Sequence, residues 1–372
     1  MAVRPDRLDS LTGLRWFAAA WVVLYHLVYF NAVDFGSINR LAWTGYLGVE
    51  FFFVLSGFVL VWAFEPGDSA RGFYRRRFAR IFPLHLLFLL PGAVLLVANQ
   101  IDVPARSVVM TVPLLEAWWP GSVGTNSLNG PDWTLSCEAF FYALFPFIAV
   151  ALVRARDTTV RLVAVGAALA MLAQLVVLKA ALSSDAAFQI TYHYPFYRLG
   201  EFVVGVALGV LVRRGALRAP SLGVPIVATL LALVGLCFAT RFTLVERGTV
   251  QLITLPLFAL LIASAAQADV RGSASPFRHP ALVKLGVWSF ALYLAHVPLL
   301  MVLAVVAPGL FNHEGLAAAV VIGGAFLIAS TVVAALAHVF FEAPVERRLR
   351  GTHRPSVIQR QDEATSLLPT LG

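Results

Sequence analysis

Stretches of about twenty apolar residues recur along almost the whole chain, with the charged residues gathered in short clusters between them. A helix rises about 1.5 Å per residue, so twenty residues cross a hydrocarbon core about 30 Å thick. Inside that core every backbone amide and carbonyl must be satisfied within the protein, which leaves helices or closed barrels. Continuous apolar runs, rather than alternating ones, select helices. Ten such runs fall near 14–33, 45–64, 82–99, 134–153, 161–182, 196–212, 223–240, 249–267, 284–306 and 316–341. The expected fold is therefore all-α, a polytopic membrane helical bundle of about ten transmembrane helices. Composition excludes a water-soluble alternative, because 59% of the 372 residues are hydrophobic, 13% are charged and the mean hydropathy is +0.81.

The charged clusters set the orientation. The segments RGFYRRRFAR, VRARDTTVR, VRRGALR, VRGSASPFRHPALVK and VERRLRGTHRP follow the second, fourth, sixth, eighth and tenth runs, so all fall on one side. Short loops rich in Lys and Arg stay in the cytoplasm, which places both termini there. Usage heavy in Ala, Val, Leu and Arg, with Lys179 and Lys284 the only lysines, points to a GC-rich bacterial genome and hence to a bacterial cytoplasmic membrane. The net charge of +8 follows from this topology and calls for no nucleic-acid partner. The first run carries Arg15 and His26 with no Ala-x-Ala-like site after it, so it reads as a retained span and not a cleaved signal. Cys137 and Cys237 fall in different runs without metal-ligating company, so neither a disulfide framework nor a metal site is expected. One membrane domain over 1–350 is expected, followed by a short polar tail, 351–372, read as disordered. Polar motifs crowd into the first 142 residues and do not recur, unlike the matched halves of many transporters.

Ionisable residues inside spans are costly, and those present generally face protein or water and mark a functional path. Arg15 and His26 lie eleven steps apart in the first run. Eleven steps of about 100° return almost to the starting azimuth, so the two share a helix face, roughly 16 Å apart along the axis. A lone membrane histidine can equally be an inter-helix hydrogen-bonding group. In GYLGVEFFFVLSGFVL, Gly48 and Gly57 suit close helix approach, Ser56 can bond a neighbouring backbone, and Glu50 near the outer end either orients a partner or is solvated. In RRRFARIFPLH the spacing of Arg76, Arg77 and Arg80 clusters guanidiniums on one helix face, an arrangement suited to phosphate, although topology alone also calls for arginines there.

The fourth run opens PDWTLSCEAFFY, in which Asp132, Trp133 and Ser136 precede Glu138 and Tyr142 on one face. Glu138 needs a partner, for which the His26 ring and the intramembrane arginines are both candidates. Arg198 and Glu201 read as a local surface ion pair, and Tyr293 and His296 share a face of the ninth run just before Pro298. Glu342 closes the tenth run, where it balances the arginines that follow. The tryptophans of EAWWPGSVGTNSLNGPDW, in the long outer loop near 100–132, either sit at lipid headgroups or pack on a sugar or polycyclic acceptor.

Taken in order, the Arg15/His26 spacing, GVEFFFVLSGF, RRRFARIFP, the W-T-L-S-x-E-x-x-F-Y pattern from Trp133 to Tyr142, and Y-x-x-H-x-P from Tyr293 to Pro298 resemble the acyltransferase-3 family of integral membrane acyltransferases. The likeness spans almost the whole chain. It implies transfer of an acyl group from acyl-CoA to a hydroxyl on a saccharide, lipid or small natural product, with acetyl-CoA or another acyl-CoA as co-substrate and no permanently held cofactor. The appended esterase-like domain of some members is not expected here. Such chemistry needs a base for the hydroxyl proton and donors for a tetrahedral oxyanion. His26 is the expected base, with Glu138 as its catalytic companion, and Arg15, Arg76, Arg77 and Arg80 are expected to hold the acyl-CoA. Glu50, Ser56, Asp132, Trp133, Ser136, Tyr142, Arg198, Tyr293 and His296 are the supporting candidates; the sequence does not name the oxyanion donor, which stays open among Ser136, Tyr142 and Tyr293. Direct transfer is expected over a covalent acyl-histidine. Acyl length, acceptor and oligomeric state stay open, the acceptor being a glycosylated or polyketide-like product or a cell-surface saccharide. Two other readings compete: a proton-coupled transporter with His26, Glu138 and His296 as relay, and a non-catalytic scaffold that recruits partners through its basic loops.

Overall fold

The structure is a computed structural model that describes residues 5, 7–65, 67, 69–98, 105–119, 128–241, 247–311 and 315–350. The tail 351–372 and the GSVGTNS part of the outer loop lie outside the described residues. All regular structure among them is helical: α1 (Asp9–Tyr29), α2 (Asn39–Trp43), α3 (Gly48–Trp62), α4 (Ala70–Ala98), α5 (Ala105–Thr111), α6 (Trp133–Arg154), α7 (Asp157–Ala181) and α8 (Ser184–His193). There follow α9 (Pro195–Arg213), α10 (Gly223–Arg241), α11 (Arg247–Val270), α12 (Pro280–Val306), α13 (Leu316–Ala337) and, after a π-helical turn at His338–Glu342, α14 (Ala343–Arg350).

Among the described residues nine helices are long and apolar enough to cross a membrane, and the run near 223–240 forms a shorter apolar helix, Gly223–Ala239. The protein is an integral, multi-pass membrane bundle. The largest difference from the apolar runs is α4, which begins at Ala70 and not near 82, because the arginine-rich segment is itself helical and its guanidiniums find protein partners.

Connections after alternate spans meet at one end of the bundle, and their arginines serve helix termini. Arg213 donates to the carbonyls of Val61 (2.5 Å) and Phe64 (2.7 Å) at the end of α3. Arg214 donates to Val153 and Ala155 at the end of α6 and pairs with Asp157 at 2.7 Å. Carbonyls of a last helical turn lack an intrahelical donor, so the basic loops help to satisfy them, at Val61 O beside the Phe64 N–H (3.3 Å). Ser10 Oγ donates to Asp269 at 2.6 Å and Trp62 Nε1 to Pro5 O at 3.2 Å, which brings the start of the chain to the same end. We refer to this as the basic end.

The middle of the bundle is stacked aromatic. Phe53, Phe141 and Phe202, all fully buried, join α3, α6 and α9 with ring centroids 5.2 and 4.9 Å apart. Small residues let α3 and α9 touch backbone to backbone: a Cβ at Gly57 would collide with the Phe202 carbonyl oxygen, and one at Gly205 with that of Val54. Gly205→Val should therefore cost about 1–3 kcal/mol of stability, as overpacked cores do. A variant that melts like the wild type in detergent would refute this close contact. α7 is peripheral, with Leu162, Val165, Leu169 and Val176 directed outward.

Candidate active site

The site is built along the bundle axis from three groups of side chains, beginning at the basic end. Arg77 and Arg80 stand one turn apart on α4. The Arg77 guanidinium lies over the rings of Phe73 and Tyr142, 5.8 and 5.9 Å from their centroids. Arg80 lies over Phe290 at 5.1 Å, forms an ion pair with the buried carboxylate of Glu342 and comes within 3.6 Å of Glu346. Glu342 faces inward because it ends the π-helical turn, where the wider winding re-aims a side chain, and its second oxygen accepts from His338 Nδ1 at 2.8 Å. Arg350 in turn pairs with Glu346 at 2.6 Å. Arg76, on the same helix, is half-buried. On α6, Tyr142 donates to Glu138 Oε2 at 3.0 Å, and Ser56 of α3 bonds the Tyr142 hydroxyl. Arg15 sits within the field of Arg80, Glu138, Glu342 and Tyr142.

The second group is a small cavity of about 60 Å³ between α1, α3, α6 and α12. Arg15, Glu138, Thr134 and Ser289 supply its polar atoms; the remainder of its lining is aliphatic and aromatic. Chain direction orders the lining: α1 and α12 run away from the basic end, whereas α3 and α6 run towards it. Arg15, Glu138 and Phe290 consequently stand nearer the basic end than Val49, Thr134 and Tyr293.

One turn beyond Tyr293 along α12 lies the third group. His296 Nε2 is 3.1 Å from His26 Nδ1, and the Tyr293 and His296 rings are 5.9 Å apart. Two carbonyls decide the tautomers, because a carbonyl only accepts. His296 Nδ1 faces Leu292 O at 3.2 Å and His26 Nδ1 faces Val22 O at 2.9 Å, so each Nδ1 carries the proton. His26 Nδ1–H is then shared with the His296 Nε2 lone pair, and the lone pair of His26 sits on Nε2, which no hydrogen bond among the described residues occupies. Around that ring stand Tyr25 (4.9 Å) and Phe30 (6.0 Å, stacked), with Tyr29 and Trp43 beyond. Tyr29 and Phe30 are 43% and 44% exposed, so the imidazole opens on an aromatic rim at the end opposite the arginines.

Of the two partners the sequence left open for Glu138, the arginines are the ones beside it, together with Tyr142, and the ring paired with His26 is that of His296. The surface reading of Arg198 and Glu201 needs correction. Arg198 and Glu201 are not a surface pair but lie at 0% exposure in the core. Arg198 is ion-paired with Glu201, donates to Tyr192 O at 2.7 Å and is enclosed by the rings of Tyr192, Phe53 and Trp133. Glu50 is not solvated; it is 1% exposed and accepts from Thr254 Oγ1 at 2.6 Å.

The three proposed oxyanion donors are all engaged elsewhere. Ser136 donates to Leu114 O at 2.7 Å, Tyr142 to Glu138, and Tyr293 lies in a hydrogen-bonded group with Thr134 (3.1 Å) and Pro131 O (3.4 Å). Trp133 is a packing residue against Tyr192 and His193, and Trp118 of the outer loop packs on Phe140 and Phe196. Asp132 lies 3.2 Å from His85 Nδ1, both at 0% exposure, and Asn129 ties this pair to Leu294 O on α12. Nearby, burial and the Asp132 carboxylate hold the Glu116 carboxyl well above the usual range. His85, Glu116, Thr254 and His338 carried no signal in the sequence reading beyond being polar in or beside apolar runs. No group of His, Cys, Asp and Glu suited to a metal ion occurs among the described residues.

Among known proteins, a family model described as an acyltransferase domain matches residues 8–339. The chain is 33% identical to the acyltransferase MdmB of Streptomyces mycarofaciens over 391 aligned positions, covering 100% of this chain and 99% of MdmB. It is 29% identical to the O-acetyltransferase OatA of Staphylococcus aureus over 164 residues, 39% of this chain and 25% of OatA. A 90-residue stretch is 39% identical to protein 2 in the picA locus of Rhizobium radiobacter, 23% of this chain and 44% of that one. No solved structure matches.

Proposed function

The chain belongs to the acyltransferase-3 family of membrane acyltransferases, and from that membership we propose that it moves an acetyl or other short acyl group from acyl-CoA to a hydroxyl of a saccharide, lipid or glycosylated or polyketide natural product. The observation that carries the mechanism is the paired imidazoles, whose carbonyl contacts leave His26 Nε2 as the unprotonated, basic nitrogen.

The acceptor hydroxyl approaches His26 over the aromatic rim, and its oxygen attacks the thioester carbonyl carbon while Nε2 takes the hydroxyl proton. The tetrahedral intermediate then collapses, the carbon–sulfur bond breaks, and the imidazolium returns the proton to the departing thiolate. Products are the ester and CoA thiol, with no net proton change. His296 acts as a positioning residue: its Nε2 accepts a hydrogen bond from His26 Nδ1–H and so, together with Val22 O, holds the ring in its productive orientation and tautomer. At the basic end, Arg15, Arg76, Arg77 and Arg80 hold the phosphates of acyl-CoA. Arg15, Arg77, Arg80 and Arg350 stand by the three carboxylates of Glu138, Glu342 and Glu346, which leaves an excess of positive charge for a polyanion. Glu138 orients Arg15 and Tyr142 at the mouth of the cavity. The basic end is taken as cytoplasmic, where acyl-CoA is made, in a bacterial cytoplasmic membrane.

Calorimetric titration of CoA and acetyl-CoA into the purified protein in detergent tests this reading. Hydrogen bonds to charged groups contribute about 1.5–3 kcal/mol, so Arg15→Ala should weaken acetyl-CoA binding about 10- to 100-fold. A folded wild type that binds neither molecule would overturn the donor site and favour the proton-coupled transporter.

A further inference from the structure

The cavity between the arginines and the imidazole pair has a second property, resting on the donor site proposed above. An acyl group carried from phosphate anchors at Arg15 and Arg80 towards His26 has to pass its apolar walls. At one end Phe290 lies under the Arg80 guanidinium. At the other, the rings of Phe52 and Tyr293 meet at 6.1 Å, and Tyr293 adjoins His296. Phe52 and Val49 stand one turn apart on α3 and both line the space. Val49 is 4% exposed and packs in the hydrophobic core.

The α3 wall is also unable to retreat. Gly57 and Gly205 bring the α3 and α9 backbones into contact, and Phe53, the neighbour of Phe52, is locked between Phe141 and the Arg198 guanidinium. A close-packed wall of this kind transmits added volume as strain and does not absorb it. The chemistry of the lining suits a hydrocarbon tail, because Val49, Phe52, Phe53, Leu135 and Phe290 offer no side-chain hydrogen-bond partner to a polyol.

We propose that Phe52, with Val49, is the specificity-determining wall of the donor chamber, and that it restricts the enzyme to short acyl groups. Removing the Phe52 ring opens space towards Tyr293 and admits longer chains, while the phosphate anchors, on other helices, are untouched.

The test is a series of affinities for CoA, acetyl-CoA, butyryl-CoA and hexanoyl-CoA, measured by calorimetry on the full chain in detergent. Single methylene differences in an apolar pocket are worth about 10- to 200-fold in discrimination. The wild type should therefore bind hexanoyl-CoA at least about tenfold more weakly than acetyl-CoA. Phe52→Ala should close or reverse that gap, with CoA itself bound as before, and Phe52→Leu, which keeps a branched side chain in the core, should fall between. An unchanged hexanoyl-to-acetyl ratio in both variants, with CoA still bound, would overturn this inference alone. A folded wild type that binds no acyl-CoA of any length would overturn the donor reading and this inference with it.

Discussion

His26→Ala should leave a folded, membrane-inserted protein that binds acetyl-CoA as the wild type does but releases CoA thiol about 10²- to 10⁴-fold more slowly, the range lost with a general base. Water can stand in for the acceptor in this assay, since thiol release reports attack on the thioester whatever hydroxyl attacks. Binding and turnover separate because Arg15 lines the cavity on its basic side, whereas the imidazole pair lies beyond Tyr293 on the other. His296→Phe keeps a ring in place but removes one of the two acceptors for the His26 Nδ1–H, leaving only Val22 O. It should fall between the two, about 10- to 100-fold down in kcat with KM for acetyl-CoA unchanged, the usual loss of an orienting partner. Turnover by His26→Ala close to wild type would remove the imidazole from the chemistry.

The second large effect is on stability. Arg198→Met should destabilise the bundle by about 3–5 kcal/mol, because it strips the counter-charge from Glu201, which is buried in the core with Glu50 nearby. An exposed ion pair at the same spacing is worth about 0–1 kcal/mol, so the magnitude itself separates the buried arrangement from the surface one. Arg198→Lys should recover little, since an ammonium cannot reproduce the guanidinium fork that donates to Tyr192 O and Glu201 together. Melting in detergent, followed by tryptophan fluorescence, decides it. An Arg198→Met protein that melts within a degree or two of wild type would return this pair to the surface.

How far the sequence was legible follows from what each signal encodes. Continuous apolar runs encode length, and length against bilayer thickness yields the spans; even the arginine loops collect at one end as their alternation implies. The shared face of Arg15 and His26 was readable because helical period is local. What faces that pair was not. His296 lies 270 residues from His26, and no periodicity links two helices that meet only in the fold. In the same way, Arg198 and Glu201 looked exposed because an i, i+3 pair at a span boundary is usually so; only the packing of α3, α6 and α9 around it shows otherwise. Glu342 was visible as a balancing charge, yet its grip on Arg80 depends on a wide turn that no residue pattern announced. The partner of Ser136 was illegible for a different reason: its hydroxyl donates to the carbonyl of Leu114, a residue with a left-handed backbone (φ 62°) in the distant outer loop.

The clamp on Arg80 has a practical side. Glu342 and Glu346 lie past residue 339, where the family match stops. A protein trimmed to that boundary would keep nearly all of its last long helix and would pass for an intact domain. Its gatepost, however, would be gone: Arg80 would be left to swing between Phe290 and any stray anion, and buffer phosphate would masquerade as inhibitor. Affinity handles and truncations placed at this end of the molecule therefore belong well beyond Arg350, and kinetic differences between differently trimmed preparations should be traced to these two carboxylates before they are blamed on the detergent.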